Sequence, residues 1–417
     1  MTTPRSGGRV AWAMWGLGAA FYCYAFFQRV APAVMVDSMM AEFGVGAAIA
    51  GMLSGLYFYT YAGMQIPIGL LLDRFGPRVM LAGFAALSCL GSGLFAMAEG
   101  LGPAYAGRAL VGLGAAVTWV GTLKLASLWF PPGRFAMVTG LTLAMGMAGA
   151  VGGQAPLAAA VQDFGWRGTM WAAAGVAGVL SVVLWLFVRD GERPAAEAPE
   201  GHGLMAGLKL VLANRQTYGI GLYSMTMAAP MLAFAGLWGV PYLMQVHGLT
   251  RGEAAFTTSL MLVGWGIGSP ATGWISDRMG RRKPALVTAA AGALALTVCA
   301  LYLPGLGMGA RQVILFLMGA VSGGFVLAFA TGREYAPAWA GGAALGVVNT
   351  AAMASGAVFQ PLIGWLLDIN WDGAMAAGGR QYSPAAWEAA FLALPVAQAV
   401  ALACALAARE TGCRHPR

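Results

Sequence analysis

Two basic residues lie inside long apolar stretches, Arg29 in FYCYAFFQRVAPAVM and Lys124 in VTWVGTLKLASLWFPP. A lone cation in hydrocarbon costs about a few kcal/mol or more, so such a residue turns toward a cavity or a partner. Tyr22, Phe26 and Arg29 follow at i, i+4 and i+7, which sets an aromatic edge and a guanidinium on one helical stripe. The planar fork of arginine matches a carboxylate or a phosphate. The competing reading for Arg29 is a structural ion pair, or snorkelling outward beside Asp37. Lys124 has two equal readings, a second anion contact or a headgroup-seeking lysine near the inner helix end.

Other polar side chains recur on apolar faces. Tyr57, Tyr61 and Gln65 repeat every four residues, and Asn349, Met353 and Gln360 lie near one face of a later stretch. In an apolar solvent such groups point inward, as ligand contacts or as glue between helices. Tyr223, Met227, Met231, Phe234 and Trp238 make an aromatic and thioether stripe interrupted by Pro230, for which packing is the plainer account. Met227 and Met231 also open a copper(I) reading, since thioethers suit soft metals, but no histidine or cysteine in the apolar stretches completes a ligand set.

The elements that position these residues follow from composition. Of 417 residues, 59% are hydrophobic and only 10% charged, against roughly 25% charged in a soluble domain. Stretches of about 20 apolar residues span a bilayer. Twelve are predicted, near 11–34, 47–71, 79–98, 104–130, 136–159, 168–188, 216–243, 254–275, 284–303, 311–332, 341–366 and 385–408. They lack the period-two alternation of barrel strands, so the fold class is an all-α polytopic membrane protein. Of the 24 Lys and Arg residues, Arg108, Arg167, Arg251, Arg311 and Arg380 fall on one side, Arg29 and Lys124 fall within spans, and the remaining 17 fall on the other. That bias puts both termini in the cytoplasm, and in a bacterium the location is the inner membrane. A polar linker over 191–215 separates an N-terminal bundle, 1–190, from a C-terminal one, 216–417.

Several functions are excluded by the same inspection. The net charge of +8 comes without basic runs on a soluble face, which argues against nucleic acid. No nucleotide fingerprint, HExxH or Ser/His/Asp set marks an enzyme, and no cofactor is expected. The five cysteines have no CxxC pairing and read as small core residues. Most carboxylates lie in loops or at helix ends, with Asp37 at an outer end and Glu334 at an inner one, and His202, His247 and His415 fall outside the spans.

An internal repeat organises the chain. GLLLDRFGPR begins at Gly69 and GWISDRMGRR at Gly273, so Gly69, Asp73, Arg74, Gly76 and Arg78 correspond to Gly273, Asp277, Arg278, Gly280 and Arg282. Both copies follow the second span of a half, as in parallel repeats related by an axis along the membrane normal. In this the sequence resembles the major facilitator superfamily, whose loop signature is GxxxDRxGxR. RALVGLG, with Arg108, Gly112 and Gly114, resembles the family's RxxxGxG element. The run from Gly146 to Pro156 matches its antiporter motif only in part, without the Gly-Pro pair.

The resemblance implies two six-helix bundles, alternating access, and a substrate site lined mainly by spans 1, 4, 7 and 10. It makes the two signatures a cytoplasmic gate. An arginine at the place of Arg29 is similar to the organic-anion branches of the superfamily, the anion:cation symporters and organophosphate antiporters, where it holds the anion. The expected function is therefore secondary transport of a small organic anion or zwitterion, a carboxylate, amino acid or phosphorylated metabolite. Arg29, Tyr22, Tyr57, Tyr61, Gln65, Lys124, Tyr223, Trp238, Asn349 and Gln360 are the substrate candidates, and Asp37, Arg108 and Glu334 the coupling candidates. A proton or a counter-transported anion is the coupling partner, in a monomer embedded in lipid. A copper importer and a non-transporting receptor are the alternatives.

Overall fold

The computed structural model describes residues 8–190, 204–376 and 379–413. Most of the 191–215 linker, and with it His202 and His415, lies outside these residues. What is described of the linker includes a helix, Leu204–Ala213.

Helices account for most of the described residues, beside a short hairpin pairing Met375–Ala376 with Gly379–Arg380. Nine stretches among the described residues are long and apolar enough to cross a membrane. The longest, Met137–Phe187, passes through a break at Gly165 (φ 69°) and so contains two crossings. Two more polar helices have span length as well, residues 47–75 and Arg251–Met279, in accord with twelve crossings.

The signature glycines act as chain breakers. At Gly76 (φ 79°) the backbone is left-handed, a conformation that glycine adopts without penalty, and the helical run turns there. A β-carbon at Gly76 would sit 2.8 Å from the Asp190 carboxylate. Gly280 (φ 61°) ends Arg251–Met279 in the same left-handed region.

The described chain divides into two compact units. One comprises Met1–Met35 with Leu56–Ala196, the other Val36–Gly55 with Glu197–Arg417. The segment 36–55, which precedes the linker in sequence, thus packs within the second unit. Its glycines show why, because a β-carbon on Gly51 would lie 2.5 Å from the Gln360 carbonyl, and one on Gly364 would collide with the Ala47 backbone. Backbones that approach this closely exclude any side chain, as in small-residue helix crossings.

Within the second unit, Tyr223, Met227, Leu286, Ala290, Leu327 and Val348 form a buried core. Met227, one of the two methionines of the copper reading, is part of that core. At the interruption by Pro230 the chain forms a π-helix over Pro230–Trp238. The wider turn leaves carbonyls without their usual i+4 donors, and Gln360 Nε2 supplies one to Leu232 O at 2.7 Å.

Candidate functional site

In the first unit, Arg29 sits near the end of Arg9–Val30 with 4% of its surface exposed. Its guanidinium lies 4.1 Å from the Phe26 ring, 5.2 Å from Tyr61 and 5.7 Å from Tyr57. Tyr22 meets Phe26 at 4.8 Å and Trp119 at 5.4 Å, extending the aromatic wall along the predicted stripe. Tyr57 and Tyr61 stack at 6.1 Å, and the Tyr57 hydroxyl donates to Ala25 O at 3.2 Å. Aromatic faces partly offset the cost of burying the cation, and Tyr57 also hydrogen-bonds it through its side chain, which leaves other donors to be met. Arg29 Nε accordingly has no hydrogen-bond partner among the described residues.

A second guanidinium stands beside the first. Arg108, counted above on the outer side, is instead 1% exposed within the membrane-length stretch Leu101–Trp129. Its Nη1 donates to the carbonyl of Gln28 at 3.3 Å, the peptide preceding Arg29, and its guanidinium lies 5.5 Å from the same Tyr57 ring. Nε and Nη2 of Arg108 lack partners. Among the described ion pairs none includes Arg29 or Arg108. Among the described residues these two buried cations have unsatisfied donors and no carboxylate partner, a charge and a hydrogen-bonding demand of the kind an anion meets.

Close packing holds this site. Gly112 of the RxxxGxG element meets the Tyr57 backbone, and Gly114 meets Phe84 O and Ser88, so neither position has room for a side chain. The motif glycines therefore let the Arg108 helix lie against the Tyr57 helix. Behind Arg29, Gln28 Nε2 donates to Tyr24 Oη at 2.6 Å and to Ser92 Oγ at 2.9 Å, a buried network that fixes the turn of helix carrying the arginine. Gly146, in Pro132–Gly152, faces the other side, where a β-carbon would come within 2.6 Å of Tyr22 and 3.2 Å of Phe26. Gly146→Leu should displace both rings and destabilise the protein by about 1–3 kcal/mol, the usual cost of overpacking. Thermal unfolding together with ligand titration checks this, and unchanged affinity would detach these rings from the site.

The other candidates divide. Gln65 Nε2 donates weakly to Tyr61 O and Ala116 O, each at 3.4 Å, and stays beside the aromatic wall. Lys124 Nζ reaches Asp73 Oδ1 at 2.9 Å, with both side chains substantially exposed. Tyr223 is fully buried and donates to Leu286 O and Gly324 O, a packing position. Trp238 Nε1 donates to Gln360 O at 2.9 Å, so this pair braces the π-helical segment. Asn349 is half-buried in Gly341–Ile369, and Met231 is buried in the π-helix.

The loop signatures are anchored by acids that sequence reading passed over. Asp190 Oδ1 accepts from Arg78 N at 2.8 Å, while Arg78 Nε donates to Trp185 O at 2.7 Å. In the second copy, Glu410 accepts from Arg282 N at 2.8 Å and Lys283 N at 3.0 Å, capping Lys283–Tyr302. Desolvation opposes the Glu410 charge, but the N–H groups of Arg282, Gly412, Lys283 and Thr411 outweigh it and hold the carboxyl below its ordinary range. Arg282 bridges Asp277 at 2.6 Å and Glu334 at 2.7 Å. Arg74 lies over Phe75 and Arg278 over Trp274, and Gly69 and Gly273 have open space around them.

Asp37, in Val36–Phe43, accepts from Gln245 Nε2 at 3.4 Å, and Arg251, which donates to Ser38 Oγ at 3.2 Å, is the cation nearby. The hairpin packed on this helix brings Arg380, which is itself paired with Asp368. Desolvation pushes the Asp37 carboxyl up to about 6, against the pull of Arg251 and Gln245. A raised carboxyl means that the packed arrangement binds the proton more tightly than a solvated aspartate does. Its stabilisation is thus full below about 4 and lost as pH rises through about 6. Thermal stability should fall over that window, and Asp37→Asn should flatten the slope. Equal slopes in both proteins would sink the assignment.

The chain is 25% identical over 393 residues to a putative tartrate transporter of Agrobacterium vitis, covering 83% of this chain and 82% of that protein. It is 26% identical to a gentisate transporter of Corynebacterium glutamicum, covering 88% and 84%. Among solved structures it superposes with a TM-score of 0.75 and 16% identity on a bacterial homologue of the human lysosomal transporter Spinster, covering 97% and 96%. A nucleoside transporter gives 0.72 at 12% identity, covering 94% and 98%. The family model of the Major Facilitator Superfamily matches residues 17–361 and 233–412. With that match over its length, the repeated loop signatures and the all-helical fold, this chain belongs to the major facilitator superfamily and is a multi-pass membrane transporter rather than an enzyme.

Proposed function

We propose that the protein is a secondary transporter of small organic carboxylates working by alternating access. The observation that carries this reading is Arg29, buried among Phe26, Tyr57 and Tyr61 with an unsatisfied donor and, among the described residues, no carboxylate partner. Arg108 adds a second cation over the same Tyr57 ring. Tartrate and gentisate, the compounds in the relatives' names, are both carboxylates, which supports the class. In this reading the protein is a monomer in the inner membrane with both termini cytoplasmic, supported by the excess of arginine and lysine in the segments assigned to that side. The carboxylate binds by charge-assisted hydrogen bonds to Arg29, its apolar or hydroxylated body lies against Tyr22, Phe26 and Tyr61, and Gln65 orients it.

Coupling to a proton or to a counter-anion accompanies the movement. Glu334 is engaged by Arg282 at the inner end of its helix, and Asp37 lies outside the first span. If Glu334 carries the proton, Glu334→Gln abolishes pH-driven uptake and spares counterflow. Uptake of radiolabelled tartrate, gentisate and a neutral sugar into proteoliposomes tests the substrate class. Saturable uptake of one acid, competed by other carboxylates and not by the sugar, is expected. Uptake of the neutral compound alone overturns the reading.

A further inference from the structure

The outer side of the chain carries a clasp that no loop signature announces. Asp368 lies at the end of Gly341–Ile369, and its carboxylate closes on the start of the helix that begins at Ala47. Oδ1 accepts from Ala47 N at 3.0 Å and Oδ2 from Ala48 N at 2.9 Å. The Tyr382 hydroxyl donates to Oδ1 at 2.6 Å and accepts from Ala47 N at 3.0 Å. Arg380, held over Trp371 at 4.2 Å, donates to Oδ1 at 3.0 Å. All of these residues lie in one compact unit.

Steric fit reinforces the bonds. A β-carbon on Gly46 would stand 2.5 Å and 2.6 Å from the Asp368 oxygens and 2.7 Å from Arg380 Nη1. One helical turn further, Gly51 and Gly364 bring the two backbones together. The carboxylate meets the N–H groups and the positive end of a helix, where a negative charge is favoured, and Arg380 balances that charge. Charge, helix end and shape thus converge on one joint between residues 46–51 and residues 360–382.

We propose that Asp368, Tyr382 and Arg380 form an outer latch on the Ala47 helix, which must release before the outward-open state forms. The inference rests on the transporter reading, since only a carrier that opens outward needs to part residues 46–51 from residues 360–368. It gives the outer face a counterpart to the gate that the repeated signatures form inside. The device is set by Asp368, so the balance between inward-open and outward-open states depends on one carboxylate.

Hydrogen–deuterium exchange of the full chain in detergent or nanodiscs tests it without any substrate. Asp368→Asn keeps the shape and removes the charge. Amides of residues 47–55 should then exchange between about three- and thirty-fold faster, the span expected for loss of one capping carboxylate, while residues 286–293 of the core stay protected. Tyr382→Phe should give a smaller acceleration at the same amides, and it serves as the test if Asp368→Asn does not fold. Unchanged exchange over 47–55 in a folded variant overturns the latch. Failure of the chain to move any carboxylate would instead overturn the transporter reading and leave this exchange result as measured.

Discussion

Arg29→Gln should abolish carboxylate uptake while the protein remains folded. The guanidinium contributes the positive charge and the open donor of the site, and glutamine retains neither the charge nor the fork. Truncating one partner of a buried charge pair costs about 2–5 kcal/mol, which corresponds to a roughly 30-fold to more than 1,000-fold loss of affinity. Folding should survive or improve, because the unloaded protein buries this cation without a counter-ion. Arg29→Lys should restore a minor fraction, since a point charge lacks bidentate geometry. Calorimetric titration of the acid that wild type transports, with thermal unfolding alongside, separates these effects. Wild-type affinity in Arg29→Gln would remove Arg29 from the site and turn attention to Arg108.

The opposite signature is expected at the ion pair beside the second loop signature. Arg282 and Glu334 are 9% and 8% exposed and joined at 2.7 Å, with Thr411 as a further donor to Glu334. Glu334→Ala leaves a buried guanidinium facing an empty position, and breaking a buried pair from one side costs about 3–5 kcal/mol. Asp277, largely exposed at 2.6 Å from Arg282, compensates little through solvent. We therefore expect a large fall in thermal stability with substrate affinity at the Arg29 site nearly unchanged. The double variant Arg282→Leu with Glu334→Leu should recover most of the loss, because two apolar residues replace a pair that contributes little net. A Glu334→Ala protein as stable as wild type would contradict the ion pair.

Much of this protein is legible from one sequence because a bilayer is a severe solvent. Every backbone group must be satisfied internally, so apolar length alone imposes helices, and the bias of arginine and lysine orients them. The repeat at Gly69 and Gly273 is legible because sharp reversals need glycine, as the left-handed Gly76 and Gly280 show. Arg29 announces itself by the cost of its charge, and Tyr22 and Phe26 by helical spacing.

Partners distant in sequence are a different matter. That Lys124 pairs with Asp73, Arg108 braces Gln28, and Asp190 and Glu410 cap the helices after the signatures depends on which helices touch. The same holds for the packing of 36–55 against Gly341–Ile369 and for the closing of Asp368 on Ala47. Composition and periodicity report how each helix meets its solvent, and so they determined the helices and the buried arginine. Only tertiary structure decided which charges are neutralised and which stay buried without a partner among the described residues, because an ion pair acts over a few ångströms and the chain brings residues that close from anywhere along its length.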